Sequence, residues 1–374
     1  MKVVADDKIP FLKGVLEQYG IEVKYLPGAK TAAADIADAQ ALITRTRTKC
    51  NEDLLKDSAV RFIATATIGF DHIDTAYVEK RGIFWTNAPG CNSSSVAQYM
   101  TSLLLNLAVK KGFSLRGKVL GVIGVGHVGS KVARVGEALG MQVLLNDPPR
   151  ERAEGSGKFV SLDTVIEKSD IITIHVPLKD KGADATYHLA DEAFLNKLKP
   201  HQFLVNASRG EVVDNAALRE ALKAGKIAGA SLDVWENEPA IDLELLSLLD
   251  YATPHIAGYS TDGKANGTSM SINALAKFFD LCDELKNFYP GNVPLPENVE
   301  LTLPDTGSRE ERLASVVNQS YNIADDTARL RSDPSAFEKL RGSYPLRREF
   351  HNFFVSNADA ELADVLQKSG FKLK

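Results

Sequence analysis

The stretch KVLGVIGVGHVGSKVARVGEALG, residues 118–140, decides the fold. Its first six residues form the short apolar run that a buried strand needs, and SKVARVGEALG after the glycines reads as a helix. Between them Gly124, Gly126 and Gly129 stand in the spacing G-x-G-x-x-G. Alone that pattern is weak, but between a strand and a helix it is the turn that sets a pyrophosphate on a helix N-terminus. Gly124 permits the tight turn, Gly126 lets the backbone approach the phosphates, and Gly129 lets helix and strand pack closely. The next strand, MQVLLND, ends in Asp147. A carboxylate there accepts hydrogen bonds from both ribose hydroxyls of an adenosine and repels a 2′-phosphate, so NAD is expected rather than NADP. Arg150 would weaken that preference, but Pro148 and Pro149 are expected to turn it away.

Working outward, further strands are expected at DIITIHV, QFLVNAS, IAGASLD and YATPH. A shorter series precedes them: KVVAD, IEVKYL, ALITR, RFIATAT and IFWTN, with amphipathic stretches such as PFLKGVLEQYG between. Strands alternating with helices imply β-α-β units and parallel sheets. Helical patterns cover 92–109 and 266–285, the second packing back on the first series, so the chain crosses twice between domains, near Gly90 and near His255. PGNVPLPENVELTLPD then opens a part of charged helical stretches around a strand or two. The expected fold class is α/β: two doubly wound parallel-sheet (Rossmann-like) domains with a cleft between them, plus a small α+β C-terminal domain. Residues 1–92 and 256–285 form the discontinuous substrate-binding domain, 93–255 the NAD-binding domain and 286–374 the C-terminal domain.

Composition excludes several classes of function. The 374 residues carry a net charge of −5 and are 44% hydrophobic and 25% charged, which leaves no basic field to hold a nucleic acid. The most apolar stretch, MTSLLLNLAV, is about half the length of a membrane span. Cys50, Cys91 and Cys282 lack C-x-x-C spacing, as expected of reduced thiols with no metal site. A cytoplasmic protein is expected.

Three residues stand just beyond strands of the second series: Arg209 in NASRG, Glu238 in DVWENEP and His255 in TPHIAG. In a parallel sheet, residues beyond the carboxyl ends of strands line one crevice beside the nucleotide, so the three can converge. Taking a hydride and a proton from an alcohol needs such a set. A histidine is the base, a carboxylate orients its imidazole and favours the imidazolium, and an arginine fork binds an α-hydroxy acid.

GVGHVG, NDPPR, NASRGEVVD, LDVWENEP and TPHIAG, in that order, resemble the D-2-hydroxyacid dehydrogenase family over most of residues 1–285. The resemblance implies His255 as acid/base, Glu238 as its partner and Arg209 as the substrate-binding arginine. It also implies Asp233 near the nicotinamide carboxamide, Gly258 at the cofactor edge, and cofactor contacts at His127, Val128, Val176 and Ala207. TATIGFDHID, NAPGCNSSSVAQY and PHIAGYSTDGKANGT are similar to a branch of that family acting on a phosphorylated 2-hydroxy acid. That branch carries a C-terminal dimerisation domain, which implies a homodimer, and it implies substrate contacts at Thr46, Thr67 and Tyr259. The helices after residue 286 look too few to bury a core without a partner. Arg45 and Arg47, in ITRTRTK at the end of a strand, are the expected readers of the substrate phosphate, Arg45 being favoured if the chain turns there. Arg347 and Arg348 are the alternative, reaching in from a partner subunit.

Overall fold

The computed structural model describes residues 1–374. The chain divides into two units, residues 1–92 with 260–294 and residues 93–259 with 295–374. In the first, the apolar runs become strands β1 (Lys2–Asp6), β2 (Glu22–Leu26), β3 (Ala41–Thr44), β4 (Phe62–Thr65) and β5 (Phe84–Thr86). They pair in parallel in the order β2-β1-β3-β4-β5, with the order reversing at β1/β3. The helix Thr261–Phe278 buries Ile272 and Leu275 in one core with Val3, Ile43 and Phe62. The expected helix at PFLKGVLEQYG does not form; turns lead into a single 3₁₀ turn at Glu17–Tyr19. Phe11 (φ 61°) and Gly14 (φ 84°) are left-handed there, which an α-helix cannot accommodate.

The second unit holds β6 (Val119–Ile123), β7 (Gln142–Asn146), β8 (Ile171–Ile174), β9 (Phe203–Asn206), β10 (Gly229–Leu232) and β11 (Tyr251–Ala252). These are parallel in the order β11-β10-β9-β8-β6-β7. Phe159 adds a single parallel bridge to Leu145 on the outer side of β7. Counting that bridge as a vestigial third strand gives the 3-2-1-4-5-6 order of dinucleotide-binding sheets with β11 as a seventh strand at the far edge, reversing between β6 and β8. Helices α1 (Ser93–Lys111), α2 (His127–Ala138) and α3 (Pro148–Glu154) belong to this unit.

Residues 295–374 add α4 (Arg309–Ser320), α5 (Ile323–Ser332), α6 (Phe337–Gly342) and α7 (Ala360–Ser369). They also add a small parallel sheet, β12 (Glu300–Thr302), β13 (Phe354–Ser356) and β14 (Lys372–Leu373). These helices do not need a partner subunit to bury their apolar faces. Leu313, Val316 and Val317 of α4 and Leu362 and Val365 of α7 share one core with Leu103, Leu107, Val132 and Val135 of α1 and α2. Leu330 and Phe337 join the core beneath Leu232 and Trp235. Thr327 Oγ1 accepts the Ala252 N–H (3.2 Å), so α5 satisfies part of the β11 edge. No helix is long and apolar enough to cross a membrane.

Arg347 ties these layers together and does not reach outward: it and Arg348 are buried in their own chain. Arg347 donates to Gln98 Oε1 (2.8 Å), Ser95 O (2.5 Å) and Ile256 O (3.2 Å), and its guanidinium lies 3.8 Å from the centre of the Tyr321 ring. Arg347→Ala should cost about 2–4 kcal/mol, because three buried acceptors lose a charged donor. A thermal melt with the midpoint within one degree of wild type would contradict this reading.

Candidate active site

The glycine turn is built by close approach. Gly124 takes φ 83°, and a Cβ there would stand 2.5 Å from His175 O and 2.7 Å from Val176 Cγ1, at the point where the strand order reverses. A Cβ on Gly129 would stand 1.9 Å from Gly124 O, so only glycine lets α2 sit on β6. Gly126 faces open space, and as N-cap of α2 it gives the first-turn amides no side-chain acceptor. Open space, uncapped amides and a positive helix end suit a diphosphate. His127 and Val128 start α2, His127 exposed and Val128 half-buried, and Val176 and Ala207 are half-buried beyond β8 and β9.

Asp147 follows β7 and is fixed beside this turn. Its Oδ2 accepts from Val125 N (2.8 Å), and its Oδ1 caps α3 by accepting from Arg150 N (3.0 Å). Free lone pairs remain on both oxygens for further donors. Arg150 is not turned away as expected. Its guanidinium folds back to the Val125 carbonyl, lies over the Phe159 ring (5.5 Å) and is paired with Glu154 (2.6 Å). The hydrogen bond from Arg150 holds the Glu154 carboxyl down at about 2, so Glu154 stays ionised to neutralise that guanidinium.

Beyond β9, β10 and β11 the predicted trio stands at strand ends. Arg209 lies on an extended turn after β9; Asn206 Nδ2 donates to its carbonyl (2.8 Å), and its own Nη1 donates to Ser208 O (2.8 Å). The Gly210 that follows cannot be anything larger, since a Cβ would stand 1.9 Å from Trp235 O. That contact locks the loop bearing Arg209 onto the loop bearing Glu238. Glu238 Oε1 accepts from Trp235 N (2.9 Å) and Oε2 meets His255 Nδ1 (2.8 Å). Burial pushes the Glu238 carboxyl upward, but the hydrogen bond and charge of His255, the Trp235 amide and the charge of Arg341 outweigh it and hold it below the usual range. An ionised carboxylate only accepts, so Nδ1 carries the proton and Nε2 keeps its lone pair. His255 itself takes φ 55°, a left-handed conformation uncommon outside glycine.

That conformation is held by Asp233, 2% exposed. Its Oδ1 accepts from Thr253 Oγ1 (2.6 Å) and Ile256 N (2.7 Å), its Oδ2 from Ala257 N (2.9 Å), and its backbone O from His255 N (2.7 Å). Burial raises the Asp233 carboxyl, partly offset by the nearby His255 and these donors. Gly258 and Tyr259 continue the loop, both half-buried.

In the first unit, β3 ends at Thr44 and the chain bends, so strand alternation does not extend to residues 45–47. Arg45 Nη1 donates to Lys8 O (3.0 Å), and Thr46 and Arg47 are exposed. Thr67 Oγ1 donates to Gly69 O (2.9 Å) and lies 2.8 Å from Thr65 Oγ1. Sequence reasoning missed Arg341 of α6, which joins the surroundings of Glu238, and His175, whose burial pushes it down to about 3 and keeps it neutral beside the glycine turn. Arg341 is brought in only by the packing of a distant segment, whereas His175 falls within the stretch DIITIHV read as a strand, directly before Val176.

Residues 97–257 match the model of the D-isomer specific 2-hydroxyacid dehydrogenase, NAD binding domain, and residues 293–370 match a domain of unknown function, DUF3410. The chain is 52% identical over 349 residues to an erythronate-4-phosphate dehydrogenase of Bacteroides fragilis, covering 93% of this chain and 97% of that one. It is 42% identical over 373 residues to one from Porphyromonas gingivalis, covering 99% of this chain and 100% of the relative. Among solved structures it resembles D-lactate dehydrogenase from Aquifex aeolicus complexed with NAD and lactic acid (TM-score 0.62, 29% identity, 77% of this chain and 98% of that one). It also resembles NAD-dependent formate dehydrogenase from Staphylococcus aureus in complex with NAD (TM-score 0.62, 25% identity, 75% and 96%). NAD is the cofactor.

His255→Ala should lower kcat by roughly 10²–10⁴ while leaving NAD affinity near wild type, since a base acts only in the chemical step. Glu238→Gln should move the acidic limb of the kcat/KM profile to lower pH, because a neutral amide no longer favours the imidazolium. Wild-type turnover in the first variant, or an unmoved limb in the second, would remove the pair from the chemistry.

Proposed function

The chain belongs to the erythronate-4-phosphate dehydrogenases, within the D-isomer specific 2-hydroxyacid dehydrogenases, and we propose that it oxidises 4-phospho-D-erythronate to 3-hydroxy-2-oxo-4-phosphooxybutanoate. The step belongs to pyridoxal 5′-phosphate (vitamin B6) biosynthesis, and we place it in the cytoplasm. The observation that carries the reading is the 2.8 Å contact between His255 Nδ1 and Glu238, in a chain whose relatives are named for this activity.

NAD, when bound, supplies the acceptor for the hydride leaving C2. Asp147 would accept from the adenosine ribose hydroxyls, and the amides of Gly126, His127 and Val128 would hold the pyrophosphate. Val176, Ala207, Asp233 and Gly258 would hold the rest of the cofactor. Arg209 holds the substrate carboxylate with its planar fork. His255 Nε2 takes the proton of the C2 hydroxyl, and Glu238 stabilises the imidazolium that forms. Arg45, Thr46, Thr67 and Tyr259 are the proposed substrate contacts. The chain acts as a homodimer through residues after 286; the outer edge of β12, paired only with β13, and the exposed Leu346 support that assembly.

Purified protein with NAD should reduce it in the presence of 4-phospho-D-erythronate, with kcat/KM at least tenfold above that for 3-phosphoglycerate or D-lactate. A preference for 3-phosphoglycerate, or for glyoxylate or hydroxypyruvate with NADH, would reassign the substrate; NAD binding without turnover of any acid would make the chain a sensor. Light scattering should give twice the 40.6 kDa chain mass, and a monomer at micromolar concentration would contradict the assembly.

A further inference from the structure

Arg341 comes from α6, far along the chain from the loops of Glu238 and Tyr259, yet its charge acts on both. Its guanidinium lies over two aromatic rings, 5.8 Å from the centre of Tyr259 and 6.0 Å from that of Phe337. Tyr259 lies on the loop that carries His255 and packs edge-on against Tyr344 (6.0 Å, 88°), so the C-terminal segment grips this loop from two sides. Burial works against the Arg341 charge, but Tyr259, Glu238, Glu338 and Asp233 surround it and stabilise the cation. One arm is occupied: Nη1 donates to Glu338 Oε1 (3.2 Å) in its own helix. Nε is a different matter, being a buried donor that reaches no acceptor. A buried charged donor without an acceptor is costly, and a nearby anion is one way to offset its charge.

The reacting acid carries two anionic groups, a carboxylate beside C2 and a phosphate two carbons further on. Arg209 accounts for the first. The solved neighbours named for lactate and formate cover only 75–77% of this chain, and residues 293–370 belong to a separate family of unknown function. The additional segment thus accompanies the additional group. We propose that Arg341 is a specificity-determining residue, contributed by the C-terminal segment, that holds the phosphate of the substrate beside Tyr259. Its guanidinium charge, held beside Tyr259, balances the dianion. This assignment rests on the proposed function.

The test compares Arg341→Gln and Arg341→Lys with wild type, using 4-phospho-D-erythronate and unphosphorylated D-erythronate with NAD, alongside inhibition by inorganic phosphate. Arg341→Gln should lower kcat/KM for the phosphorylated acid by roughly 10- to 150-fold, mostly through KM, and weaken inhibition by phosphate. Turnover of D-erythronate should fall by a factor at least tenfold smaller, since that acid loses only the Arg341 charge near Glu238, and Arg341→Lys should recover part of the loss because the charge remains. Equal losses with both acids would overturn the proposal and make Arg341 a brace for Tyr259 and Glu238. Unchanged kinetics with both would overturn it outright, as would misfolding of Arg341→Gln combined with wild-type kinetics in Arg341→Lys. Failure of the wild-type enzyme to oxidise 4-phospho-D-erythronate at all would instead reject the function on which the assignment stands.

Discussion

The buried carboxylate of Asp233 is the constraint on which the catalytic geometry depends. Four bonds run from the loop after β11 to this one residue, three to its carboxylate and one to its backbone carbonyl. They hold His255 in a left-handed conformation that is uncommon outside glycine. A charge this deep is expensive unless several donors converge on it, and here they do. The desolvation cost is therefore spent on orientation: with the loop fixed, the imidazole has one place to go, against Glu238 Oε2. Tyr99 adds an outer layer by hydrogen-bonding to Thr253 (2.9 Å), linking α1 to the same loop.

Contacts between loops extend this constraint sideways. The Gly210–Trp235 approach couples the loop of Arg209 to that of Glu238, and the Trp235 amide in turn orients Glu238. Because each loop leaves the carboxyl end of a strand in one parallel sheet, the sheet sets the spacing of the loops and these contacts set their angles. The glycine turn relies on the same economy of space, with Gly124 against His175 and Gly129 against Gly124. The proposed catalytic trio and the glycine turn thus both follow strands of one parallel sheet.

How much of this was legible in the sequence depended on whether a feature was local. Short apolar runs bounded by turn residues read directly as strands, because a strand buried on both faces needs little else. G-x-G-x-x-G was legible because its glycines answer to contacts within a few residues. The stretch PFLKGVLEQYG misled, since its helical spacing of apolar residues holds while Phe11 and Gly14 turn left-handed. The third strand of the nucleotide sheet escaped notice because it has shrunk to one bridge at Phe159. Arg150 was misplaced for a related reason: the two prolines before it start a helix rather than deflect the chain, and the first turn of that helix carries the side chain back to Val125. Arg341 could not be foreseen, because nothing near it in the chain signals that α6 lies beside Tyr259.

The interleaved order of the two units has a consequence for synthesis. The sheet of the first unit is complete by residue 86, but the helix that covers it begins at Thr261. The nucleotide sheet is complete by residue 252, yet α1 and α2 stay partly bare until α4 and α7 follow, ending at Ser369. A nascent chain on the ribosome therefore carries open apolar surface on both units through most of its elongation, and neither core closes until late. Such a chain is exposed to aggregation and to chaperone capture for longer than one whose domains finish in sequence.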